Sequence, residues 1–309
     1  MSAAYRRTGA DPPFRDPVGA HGIGLEGYYW RFTDAASGRV VVALCGACRG
    51  AAGDWALVAV AAHPGGFLRW QVVPEVALDP RRLGVRAGDV LRGDAHGLRV
   101  RLDGASLDAA IDAGRPWPRR ALGALGPAQL VPGLGQYWHP HLLLGAATGS
   151  ARLGEEAVSL DGARVYAEKN WGSRFAPDWW WGETHDLGDG VASVAFAGGR
   201  LRVGAPTAVV VALEDRVLRL GPPTARTTTA TAPGRWRVHA AGPLHRVELE
   251  AEADPAAAHR LPVPVVDERR AELRSHQHLA ARLAVTVRRG RRLLFRGETE
   301  LAAVERGRP

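Results

Sequence analysis

Lysine is all but missing from this chain. Lys169 is the only one among 40 Lys and Arg side chains. Methionine occurs once, cysteine twice, and no apolar run approaches the roughly 18 residues of a membrane-crossing helix. The net charge is +8, and the arginines that carry it are scattered along the chain instead of forming one block. A solvated basic surface is therefore expected, with no nucleic-acid partner and at most peripheral contact with a membrane. The cysteines form a lone C-x-x-C at Cys45 and Cys48. A structural zinc site takes four ligands, commonly two such pairs. No second pair exists, and on a strand residues three apart point to opposite faces. Both are read as core or edge residues, and nothing demands an oxidising compartment. The stretch Met1–Pro17 has no apolar h-region, so a cytoplasmic protein is expected.

What is present in excess is tryptophan, with ten residues in a chain that is 46% hydrophobic. A large core is affordable, and bulky indoles in such number imply aromatic walls. After a polar, Pro-rich segment at 1–21, expected to be a disordered tail, the chain reads as short strands broken by Gly, Pro and Asp. Examples are Trp55–Ala62, Phe67–Val73, Ala208–Leu213, Arg216–Leu220 and Arg246–Glu252. Turn signals recur about every ten residues, which points to an all-β fold of sandwich or barrel type. Helix is expected only at Asp108–Asp112 and at the start of Asp267–Leu283, where Asp267 is a candidate N-cap. A break near Gly149–Gly162 divides the chain into expected units at 22–155 and 156–309.

Gly22–Gly27 fits the dinucleotide pattern G-x-G-x-x-G, but Tyr28–Phe32 after it reads as strand, so the helix that would bind pyrophosphate is missing. The chemistry-bearing stretch is Tyr166-Ala167-Glu168-Lys169-Asn170-Trp171-Gly172 with Trp179-Trp180-Trp181-Gly182-Glu183-Thr184-His185-Asp186. On an extended strand Tyr166, Glu168 and Asn170 share one face, and Trp179, Trp181 and Glu183 share another. A carboxyl in an apolar wall keeps its proton and can act as a general acid, and indole faces stabilise cations. A purely structural acid–Asn–Trp cluster would use the same residues. A second cluster, Trp138-His139-Pro140-His141, carries two His at metal-ligand spacing. No obvious third ligand follows, unless Glu183 and His185 approach, so a pocket-lining role is preferred.

The string Tyr166–Gly172 followed by Trp179-Trp180-Trp181 resembles the signature of the tocopherol cyclase-like family. Gly27–Phe32, Tyr137–Gly145 and Glu298–Gly307 resemble further segments of that family in order. More distantly the layout is similar to carotenoid 1,2-hydratases and other paired lipocalin-like proteins, where an acid-x-x-Trp-Gly segment opens the second barrel. The resemblance implies two antiparallel lipocalin-like barrels packed together, with an apolar prenylated molecule held in or between them. It implies a reaction without cofactor, in which an acid protonates a prenyl double bond and a phenol oxygen closes a chromanol ring. Glu168 is then the expected proton donor, Asn170 its orienting partner and Glu183 the reserve acid. Tyr166, Trp138, His139, Trp171, Trp179, Trp181 and His185 are the expected substrate contacts. The chain departs from plant-type cyclases after Trp181, where Gly182-Glu183-Thr184-His185 replaces a Gln and often Cys-Asn, so the ring that is recognised need not be a tocopherol precursor. A hydratase that lets water take the cation, and a lipocalin-type binder without chemistry, are the competing readings.

Overall fold

Strands buried on both faces read differently from strands with one face in water, and this chain contains both kinds. Trp55–Ala62 is apolar throughout and buried throughout, whereas Arg235-Trp236-Arg237-Val238-His239-Ala240-Ala241 alternates exposed and buried. The computed structural model describes residues 24–79, 82–118, 123–131, 134–201, 204–214 and 216–308. The expected tail at 1–21 lies outside them, as do Gly22 and Ile23.

Two antiparallel sheets follow one another along the chain. The first contains β1 (Leu25–Asp34), β2 (Arg39–Gly50), β3 (Gly53–His63), β4 (Phe67–Val73), β5 (Ala77–Leu78) and β6 (Gly84–Ala87). It continues with β7 (Leu91–Asp94), β8 (Gly97–Leu102), β9 (Ala105–Pro116), β10 (Gln136–Leu153), β11 (Glu156–Ser159) and β12 (Arg164–Gly172). The second contains β13 (Trp179–Leu187), β14 (Ala192–Gly199), β15 (Thr207–Leu213), β16 (Arg216–Leu220) and β17 (Arg226–Ala232). It ends with β18 (Arg235–Ala241), β19 (His245–Glu252), β20 (His259–Val265), β21 (Arg270–Arg289) and β22 (Arg292–Gly307). The strand orders are β4-β3-β2-β1-β12-β10-β9-β8-β7-β6-β5, with β11 on β10, and β16-β15-β14-β13-β22-β21-β19-β18-β17, with β20 on β21.

Each sheet curls into a barrel-like half. In the second, the Thr207 and Thr229 hydroxyls, 2.7 Å apart, draw β17 toward β15. Three main apolar cores result among the described residues. Trp30, Phe32, Val58 and Leu107 fill the first half. Phe196, Val211, Leu249 and Leu283 fill the second. Val40, Val42, Leu143, Val210 and Leu279 fill the space between them. The middle layer explains the unbroken apolar runs of β3 and β15: Ala61 and Val210 face the opposite sheet while Val58 and Val211 face inward.

Three expectations are corrected. The sheets divide between Gly172 and Trp179, not at 155/156, because β12 pairs with β1 and β10. Glu168–Gly172 therefore sits in the middle of the first sheet instead of opening the second. Asp108–Asp112 is strand within β9, with Leu107, Ala109 and Ile111 buried at a period of two. The Asp267–Leu283 segment has only a single 3-10 turn at Val266–Glu268 before β21 begins. Leu279, Ala281, Leu283, Val285 and Val287 are buried at period two, and this pattern outweighs the helix preference of Glu and Arg. Asp267 caps no helix; its carboxylate accepts from the Ala51 amide at 3.1 Å. Cys45 and Cys48 are free, buried and in different clusters, and burial pushes the Cys48 thiol up to about 12.

Candidate active site between the two sheets

Strand alternation sorts the functional side chains before any contact is considered. On β1, Tyr28, Trp30 and Phe32 enter the first core, so Tyr29 faces the second sheet. On β12, Val165 and Ala167 enter the core, so Tyr166, Glu168 and Asn170 face outward. On β13, Trp180 belongs to the second core, leaving Trp179 and Trp181 to face the first sheet. The outward faces enclose a cavity of about 440 Å³. Its wall includes Tyr29, Trp138, Glu168 and Asn170 from the first sheet, and Trp179 and Trp181 from the second.

Glu168 is 4% exposed, and three donors converge on one of its oxygens. Oε2 accepts from Tyr166 Oη at 2.6 Å, Trp138 Nε1 at 2.7 Å and Trp181 Nε1 at 2.9 Å. Burial drives the carboxyl up, the three hydrogen bonds pull it partly back, and the negative Glu183 nearby adds to the rise; it stands at about 8. At neutral pH Glu168 is mostly a neutral acid. With Oε2 taken by donors, Oε1 is the oxygen left to carry the proton.

Glu183 has the opposite character. It is fully buried, and burial alone would raise its pKa, but Arg31 and His185 outweigh that and hold it below the ordinary range. Arg31 Nη1 lies 2.9 Å from Oε1 and His185 Nδ1 3.0 Å from Oε2. Arg31 also donates to the Leu279 and Leu301 carbonyls at 2.9 and 2.5 Å. A carboxylate so tied up is an ionised anchor, unsuited to the reserve-acid role expected of it.

The remaining expected residues divide. Trp138, Trp179, Trp181 and Asn170 lie in the cavity wall. Among the described residues Asn170 makes no hydrogen bond to Glu168; its Oδ1 is buried without a partner, close against Gly27, where a Cβ would lie 2.5 Å from it. Orienting Glu168 falls instead to Tyr166, Trp138 and Trp181. Tyr166 acts from behind the wall and stacks on His185, with ring centroids 6.1 Å apart. Trp171 points the other way, stacked on Tyr137 at 5.7 Å with Lys169 Nζ 5.0 Å from its ring centre, so it faces no cation in this cavity. His139, next to Trp138, is not among the residues of the cavity wall and meets Trp117 edge-on at 4.8 Å. Burial, His141 and Lys169 push His139 down to about 3, so it is neutral. Among the described residues no three His, Cys, Asp or Glu are grouped to hold a metal.

Sequence reasoning missed a second carboxyl in the same wall. Glu305 accepts from Trp179 Nε1 at 2.5 Å and Gln277 Nε2 at 3.0 Å. Burial raises its pKa against those hydrogen bonds. Tyr29 lies between the two acids: it stands opposite Glu168 in the β1–β12 register, and its hydroxyl reaches Gln277 Oε1, beside Glu305, at 3.4 Å. The available signal was the alternation Ala303, Glu305, Gly307 in the last strand, which puts a lone acid on an apolar face.

The fold and cavity define a protein of paired lipocalin-like barrels. Kievitone hydratase from Nectria haematococca superposes with a TM-score of 0.55 over 97% of this chain and 98% of that one, at 12% identity. CghA in complex with Sch210972 superposes with a TM-score of 0.61 over 93% and 88%, also at 12% identity. The chain belongs to the tocopherol cyclase-like family, whose sequence pattern matches residues 136–308. The probable chloroplastic tocopherol cyclase of Oryza sativa subsp. japonica is 28% identical over 136 residues, covering 41% of this chain and 29% of that protein. The chain therefore spans under a third of that relative's length. Glu168, Glu305 and the cavity tryptophans all fall within the family match.

Proposed function

We propose that the protein is a cofactor-independent cyclase acting on an apolar prenylated phenol or hydroquinone. The observation that carries this reading is Glu168, a carboxyl neutral at physiological pH, facing an apolar cavity between the sheets with one oxygen held by three donors. Oε1–H gives its proton to the trisubstituted alkene of the prenyl tail. The three donors on Oε2 then stabilise the carboxylate left behind. The rings of Trp138, Trp181 and Tyr29 surround the carbocation and favour it by about 2 kcal/mol where water is excluded. The phenol oxygen attacks the cation, forms the C–O bond and releases its proton, which restores neutral Glu168. Atoms and charge balance, so the net change is an isomerisation.

The test is Glu168→Gln, which keeps the shape and loses the transferable proton. Turnover of a prenylated hydroquinone is expected to fall about 10²–10⁴-fold, while quenching of tryptophan fluorescence shows that the ligand still binds. Undiminished turnover in a folded variant would rule the mechanism out. An alcohol in place of a ring among the wild-type products would move the reading to a hydratase, and binding with no turnover in the wild type would move it to a carrier.

A further inference from the structure

The cavity wall holds a second polar cluster that the acid step does not use. Glu305 stands opposite Trp181 in the β13–β22 register and opposite Gln277 in the β21–β22 register. Directly opposed residues have Cβ atoms about 5 Å apart, and the Trp181 indole bonds to Glu168. Glu305 and Glu168 are thus separated by one indole side chain. A chain of hydrogen bonds, Tyr29 to Gln277 to Glu305, with Trp179 on the other carboxyl oxygen, ties the cluster together from four strands. Glu305 Oε1 accepts from Trp179, Oε2 accepts from Gln277, and the Ser275 hydroxyl stands beside the same carboxyl. Asn170 Oδ1, also in the wall, is a buried acceptor with no partner. The polar positions of an otherwise apolar cavity are therefore rich in acceptors, which suits a ligand that brings a hydrogen-bond donor.

We infer that Glu305, positioned by Gln277 and Trp179, is the binding site for the ligand's ring hydroxyl. This deepens the proposed function and rests on it. In an ortho-prenylated phenol three carbon atoms separate the oxygen from the nearer alkene carbon. A hydroxyl held at Glu305 therefore leaves that alkene within reach of Glu168, one side chain away. Sites built to bind a hydroxyl reject analogues that lack it, because their own polar groups are left unpaired.

The test compares 2-farnesylphenol with its methyl ether, read by the initial tryptophan quenching on rapid mixing, before the phenol is turned over. The wild type is expected to bind the phenol about tenfold more tightly, and Glu305→Gln and Gln277→Leu are each expected to reduce that preference to near unity while the ether binds as before. Thermal melts identify any variant that fails to fold, in which case the other variant decides. Equal binding of phenol and ether by the wild type would overturn the inference while leaving an apolar ligand site intact. So would a preference that survives in the folded variants. Binding of neither compound would overturn both this inference and the reading beneath it.

Discussion

Two glutamates fifteen positions apart, Glu168 and Glu183, face the same layer and are held in opposite protonation states. The difference lies in their partners. Glu168 receives neutral donors and Glu183 receives a guanidinium, so desolvation prevails at one and charge pairing at the other. In the proposed reaction the neutral form of Glu168 is the active one, so activity is expected to hold below its pKa and to fall as pH rises through about 8. Glu183 contributes its negative charge to that pKa. In Glu183→Gln the alkaline limb of the pH–rate profile is expected to move to lower pH, and the unpaired Arg31 to lower stability by about 3–5 kcal/mol. An unmoved limb in a folded variant would separate the two acids. At this scale Glu168 was legible because its motif is contiguous and strand alternation aims it. Glu305 was not, since its meeting with Trp181 depends on a register between strands more than a hundred residues apart. The reserve-acid reading of Glu183 failed for a similar reason: nothing near it in sequence announces Arg31.

Strand rhythm made most elements legible, and β4 and β16 fall at their expected bounds. The failures came where composition and periodicity disagreed. In β21 the residues Glu272, Arg274 and Arg282 favour helix singly, but the buried set at every second position needs a strand. The ends of elements also carry information that composition hides. Gly307 closes β22 where the indole of Trp179 lies across it, and a Cβ there would overlap the ring. Gly307→Ala is expected to displace Trp179, loosen its bond to Glu305 and lower stability by about 1–3 kcal/mol. Melting temperature and prenyl-ligand affinity should fall together, and a variant with both unchanged would show that Trp179 has room to yield.

Over the whole molecule, two barrels were legible and their seam was not. The Gly-rich break at 149–162 is only the hairpin between β10 and the strands that return alongside it. The true crossing is 173–178, which carries no distinct composition. Since Glu168 sits in the first half and Trp179, Trp181 and Glu305 in the second, the site exists only where the halves meet. Residues 24–176 made alone would uncover Tyr29, Val40, Val42 and Leu143 at once. Such a fragment is expected to associate or precipitate and to bind no prenyl ligand; mixed with residues 177–308 it should regain solubility, and gel filtration of each half and of the mixture decides. A soluble, monomeric first half would contradict the shared core.

The three donors gathered on one edge of Glu168 bear on handedness. A carboxyl free to swing offers its proton over a wide arc, whereas one held by Tyr166, Trp138 and Trp181 offers it along one line. An alkene lying in the cavity is then met from one side, and the oxygen that closes the ring comes from a fixed wall. The carbon that takes the oxygen, a stereocentre in any tail longer than dimethylallyl, should form as a single mirror image. Chiral chromatography of the cyclised product is expected to give one peak for the wild type. Tyr166→Phe, which removes one of the three restraints, should let the second enantiomer appear. A racemic wild-type product would mean that the carboxyl is not what directs the closure.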